Sequence, residues 1–168
     1  DPLFWRRTAD GCAGPGAGRP SRAIWRAHRD GRDGPSGGED RTHVAHFDLR
    51  PLAGLERLTA LTISCCQAIV DLAPLGTLTG LETLDLSHCE IIPTLAPLAG
   101  LPSLRTLNLS GLSTIVDLAP LATLPCLETL DLSYCEALPT LAPLAGLPSL
   151  HTLSLRTCID LPRAEVDA

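Results

Sequence analysis

From Leu49 onward the apolar residues fall into columns 23 positions apart: Leu58, Leu81, Leu104, Leu127 and Leu150; Leu61, Leu84, Leu107, Leu130 and Leu153; Ile63, Leu86, Leu109, Leu132 and Leu155. Within each unit an alternation such as Leu84-Asp85-Leu86-Ser87 predicts a short strand with one apolar and one polar face. A further column, Ile69, Ile92, Ile115, Leu138 and Leu161, follows the strand, and the columns beginning at Leu72, Leu75 and Leu78 lie in a return segment of the form DLAPL or TLAPL. Its proline, at position 74, 97, 120 or 143, limits regular helix and favours tight turns or a turn of 3₁₀. A fixed period in this range is the mark of a solenoid. One strand per unit, each stacked about 4.8 Å from its neighbour, gives a parallel sheet. No unit can fold alone, because eight inward apolar positions cannot offset the ordering of 23 residues.

The unit reads L-x-x-L-x-L-x-x-C-x-x-[IL] followed by L-x-P-L, and it resembles the leucine-rich repeat family over roughly residues 46 to 161. The cysteine with an aliphatic residue three places on is similar to the cysteine-containing class of these repeats. The DLAPL return resembles internalin-type and phosphatase-regulator-type repeats, and the combination at this length resembles the leucine-rich repeat proteins of trypanosomes. The resemblance implies an α/β-type solenoid, with a short parallel strand per repeat on the concave face and turn or 3₁₀ segments on the convex face. The expected division is a disordered Gly/Arg/Pro-rich segment over 1–43, a repeat domain over 44–161 containing a partial first repeat and five strand segments, and an irregular tail over 162–168. Residues 1–43 lack apolar periodicity and bury too little to offset their ordering entropy.

The cysteine column, Cys66, Cys89, Cys135 and Cys158 with Leu112 in the middle repeat, falls where the strand ends and the chain turns inward. That crowded place takes a small, mostly apolar residue with weak hydrogen-bonding capacity. The structural reading outweighs a disulfide ladder or a metal site, since His88 is expected to point out where Cys89 points in. Cys12, Cys65 and Cys126 lie off the column and are candidate free thiols. Residues 70–104 and 116–150 differ at six aligned positions, so the array is also a 46-residue double repeat.

Function is sought on the outward strand positions. They read Thr59, Glu82, Arg105, Glu128, His151 in one column and Thr62, Asp85, Asn108, Asp131, Ser154 in another, with His88 and Tyr134 at the strand ends. Flanking them are the threonine column Thr83, Thr106, Thr129, Thr152 and the serine column Ser64, Ser87, Ser110, Ser133. The expected protein-binding face therefore comprises Glu82, Asp85, His88, Arg105, Asn108, Glu128, Asp131 and Tyr134, with both aspartates exposed. The opposing reading makes these solvated positions that keep the sheet from aggregating.

The net charge of −6 argues against nucleic acid or an anionic membrane as partner. No run of about 18 apolar residues is present, so membrane insertion is not expected. No cofactor or metal is expected, nor catalysis, because an open shallow sheet offers no shielded acid, base or nucleophile. The resulting expectation is a protein-interaction module, an adaptor or regulatory subunit in the cytoplasm or nucleus. The alternative is a cell-surface adhesion protein, open if the N-terminus is incomplete. Uncapped ends would expose an apolar layer and a free strand edge, which leads to an expectation of self-association.

Overall fold

The computed structural model describes residues 21–26, 46–65, 68–69, 71–89 and 91–158. Strand β1 is Ser21–Arg26, β2 His46–Phe47, β3 Leu58–Ser64, β4 Ala68–Ile69, β5 Thr83–Asp85, β6 Thr106–Asn108, β7 Thr129–Asp131 and β8 Thr152–Ser154. Six of them form one parallel sheet in the order β1-β3-β5-β6-β7-β8. Its register follows the sequence period, with Leu61 beside Leu84, Leu84 beside Leu107, Leu107 beside Leu130 and Leu130 beside Leu153. Beyond the strand exit, β2 and β4 pair in parallel as a second, two-stranded sheet.

Each return segment is a 3₁₀ turn: Ala73–Thr77, Ala96–Gly100, Ala119–Thr123 and Ala142–Gly146, with Arg50–Leu52 at the start. Proline sits at the beginning of every turn, where its missing N–H is not needed. The residue before the leucine ties off the turn. Asp48, Asp71 and Asp117 accept the amides of Arg50, Ala73 and Ala119 at 2.9, 2.7 and 2.8 Å. Thr94 and Thr140 do the same for Ala96 and Ala142 through Oγ1, each at 3.1 Å. The alternation of DLAPL and TLAPL is thus an alternation of two chemically equivalent caps. The Arg50 guanidinium, bonded to both carboxylate oxygens, also holds Asp48 below the usual carboxylate range.

The core is a stack of leucine layers between sheet and turns. In the unit beginning at Leu81 all eight inward positions, Leu81, Leu84, Leu86, Cys89, Ile92, Leu95, Leu98 and Leu101, are buried. The next unit repeats this, with Leu112 in the cysteine position.

Within 1–43 six residues are described. Ser21–Arg26 is a strand laid parallel on β3, with Ala23 beside Leu61 and Trp25 beside Ile63. The unpaired edge of β3 is a template for any extended segment, and Ile24 and Trp25 favour extended backbone. The other residues of 1–43, and the tail over 162–168, lie outside the described residues, as does Cys66.

Candidate interaction surface

The cysteine column has a bonding role. Cys89 Sγ donates to the carbonyl of Ile63 at 3.4 Å, Cys135 Sγ to Leu109 at 3.3 Å and Cys158 Sγ to Leu132 at 3.0 Å. In each case the acceptor lies 26 residues back, in the preceding repeat's strand or just past its end. A leucine in this place, as at 112, packs but cannot donate. Burial pushes the Cys135 thiol up to about 11, and Cys158 is raised for the same reason. Both stay protonated at neutral pH, as an S–H donor must. Among the described residues no disulfide is formed, and Cys65 is exposed.

Strands β3, β5, β6, β7 and β8 each leave the sheet through one left-handed residue. Cys65, His88, Tyr134 and Thr157 have φ of 60°, 55°, 61° and 59°, and Gly111 in the same column has 74°. Non-glycine residues pay about 1–2 kcal/mol for this conformation, and the turn is held by the residue three places earlier. Asp85 Oδ1 accepts the Ser87 amide at 2.9 Å, Asn108 Oδ1 that of Ser110 at 3.0 Å and Asp131 Oδ1 that of Ser133 at 2.8 Å. The left-handed residue then donates its own amide to the next repeat, His88 to Ser110 and Tyr134 to Arg156, both at 2.7 Å.

Burial along the strands differs from the expected exposure. Asp85, Asn108 and Asp131 are half-buried rather than exposed, and one oxygen of each is committed to the strand exit. The serine column differs as well: Ser87, Ser110 and Ser133 are buried beneath the turn. Alternation along the strand reports which side a residue takes, but a carboxylate beside a turn is drawn onto the nearest backbone amide.

Glu82, Arg105, Glu128 and His151 occupy the run-in to successive strands, and they behave as a surface column. Arg105 pairs with Glu128, and His151 Nε2 stands 3.8 Å from the other oxygen of that carboxylate. The Glu82 side chain is exposed. At the opposite end of the strands Tyr134 is 52% exposed. The His88 ring leans across Gly111, where a side-chain carbon would come within 2.4 Å of its Nδ1. His88, the gap at Gly111 and Tyr134 therefore form a notched rim on three adjacent rungs. Glu82, Arg105, His88 and Tyr134 are exposed, while Glu128, Asp85, Asn108 and Asp131 are half-buried, the last three each accepting an amide at a strand exit. His151, beside Glu128, belongs with the surface column; its 23-residue spacing from Glu128 was the signal for it.

Among the described residues no helix is long and apolar enough to cross a membrane. A family model described as Leucine Rich repeats (2 copies) matches residues 79–123. No curated protein matches the chain. Among solved structures, an internalin C2 from Listeria monocytogenes is similar at 30% identity and a TM-score of 0.51, over 68% of this chain and 54% of that one. An internalin from the same organism is 26% identical with a TM-score of 0.47, over 64% of this chain and 37% of that one. The chain thus spans about half the length of the first and less of the second. With the 23-residue columns, the parallel sheet and the 3₁₀ returns already in place, the family-model match and the likeness to internalin C2 support a leucine-rich repeat protein.

Proposed function

We propose that this chain is a protein-interaction module whose concave face takes a protein partner, in the manner of an adaptor or regulatory subunit. Leucine-rich repeat domains are generic protein-binding scaffolds, and the choice of face rests on one observation. Glu82 and Tyr134 are accessible on the sheet side and no structural bond has been found for either side chain among the described residues, whereas the aspartates between them hold turns. A large exposed aromatic such as Tyr134 is of the type enriched in interface anchors. Catalysis has no place in this reading, because Asp85 and Asp131 are committed to backbone amides. The protonated thiols of the core suit a reducing compartment, which favours the cytoplasm or nucleus.

The test is capture of a partner from lysate of the source cell by the unsubstituted chain, by Glu82→Arg/Tyr134→Ala, and by Ala99→Arg/Ala122→Arg on the exposed 3₁₀ side. A protein retained by the first and third and lost by the second supports the concave face. Loss in the third alone moves the site to the convex side. The likeness to internalin C2 supports a second reading, display of the solenoid at a cell surface. Antibody labelling of intact, unpermeabilised cells decides it.

A further inference from the structure

Exposed apolar surface is concentrated where the middle strands run out. Of the five large hydrophobic side chains exposed among the described residues, Ile91, Val116 and Tyr134 lie in the three consecutive segments that follow β5, β6 and β7. Ile91 is 50% exposed and Val116 60%. The segments are held side by side, because the amides of His88 and Gly111 bond the carbonyls of Ser110 and Ser133 at 2.7 and 2.8 Å. The three residues stand in different columns of the repeat. Thr114 and Ala137 share the column of Ile91, exposed Pro93 and Pro139 that of Val116, and His88 and Gly111 that of Tyr134. Copying of the unit therefore does not account for one large apolar side chain on each of three adjacent rungs, about 4.8 Å apart.

The charge of the same segments has one sign. Residues 88–94, 111–117 and 134–140 carry Glu90, Asp117 and Glu136 and no arginine or lysine, and Asp117 and Glu136 are exposed. We propose that this strand-exit flank docks a basic, amphipathic segment of a protein partner, its apolar side chains on Ile91, Val116 and Tyr134 and its cations beside Asp117 and Glu136. Covering the apolar residues takes water from the carboxylates between them, which costs free energy unless the covering segment supplies cations. Charge complementarity therefore selects a basic segment and works against an acidic one or an anionic lipid surface. The concave column differs in both respects. Glu82, Arg105 and Glu128 mix the two signs, and no aliphatic side chain is exposed among them. The flank is thus a second surface, which stands whether or not the concave face takes a partner.

The probe is a fluorescently labelled amphipathic peptide of leucine and arginine, titrated with the full chain and followed by anisotropy. Two control peptides keep its length: one replaces arginine by glutamate, the other leucine by serine. Saturable binding of the leucine–arginine peptide alone is expected, weakening as salt is raised. Ile91→Ala/Val116→Thr should weaken it about tenfold. Alanine already stands in the first column at 137 and threonine has the shape of valine, so the fold is retained, which circular dichroism checks. Should the pair unfold, Glu136→Arg carries the test, with a loss of about threefold that Glu56→Arg, an exposed charge reversal ahead of β3, does not produce. No binding, equal binding of either control peptide, a double variant that binds like the parent, or equal losses in the two charge reversals overturns the proposal. So does self-association of the chain that the double variant abolishes, since the occupant is then a second copy.

Discussion

Replacing Asp85 and Asp131 separates their role in the strand exit from any role on a binding face. Each carboxylate accepts one backbone amide, from Ser87 and Ser133, and each is half-buried. A hydrogen bond to a charged acceptor contributes about 1.5–3 kcal/mol. Partial exposure lowers this to about 1–2 kcal/mol for each change to alanine, since water can satisfy some of the freed amides. The two sites are two rungs apart, about 10 Å, so the effects add. Asp85→Ala/Asp131→Ala is expected to lose about 2–4 kcal/mol, on the order of 5–15 °C in Tm for a chain of this size. Asp85→Asn/Asp131→Asn keeps the accepting oxygen and removes only the charge. The middle rung already uses Asn108 in this way, so the asparagine pair is expected to lose about half as much as the alanine pair, the part that the charge adds to each bond. Guanidinium titration followed by circular dichroism measures both. Alanine and asparagine variants unfolding at the same midpoint as the parent would refute the assignment. If partner capture survives the asparagine pair, the two charges are not anchors.

Other expectations follow from the same geometry. Gly111→Ala forces a side chain into left-handed backbone and against the His88 ring; a loss of about 1–2 kcal/mol is expected by denaturant titration, and the paired change with His88→Ala recovers the steric part. Asp71→Ala removes a 3₁₀ cap and is expected to cost about 0.5–2 kcal/mol, with Asp71→Thr restoring most of it, as Thr94 and Thr140 do in their own repeats. The folded-state value of Cys135 lies above that of an ordinary thiol, so its contribution is full below pH 9 and is lost as pH rises toward about 11. The denaturation midpoint should therefore fall across that window, and less so in Cys135→Ala. With a thiol reagent in native buffer, Cys65 reacts fast, while Cys89 and Cys135 react only on unfolding.

The columns of the sequence carried most of the fold, because each repeat must bury the same positions against its neighbours. The proline of each return announced the 3₁₀ turn, since the ring fixes φ and removes a donor. Strand β1 was not legible, because Ser21–Arg26 pairs with β3 from outside the period: Ala23 lies 38 positions before its partner Leu61, not 23. The turn-holding role of Asp85 and Asp131 was hidden for a different reason. Their position in the alternation is outward, and only the left-handed residue at 88 and 134, invisible as a non-glycine, shows that a turn needs them. Burial of Ser87, Ser110 and Ser133 follows from that same turn folding over them.

The file of thiol bonds gives the array a grain. Cys89, Cys135 and Cys158 each reach back to the repeat before, and the bond is missing at Leu112. Under tension, the described repeats therefore have one seam without a thiol bond. A pulling experiment would find the first rupture there, between the strands carrying Leu86 and Leu109, with the remaining repeats holding as two blocks.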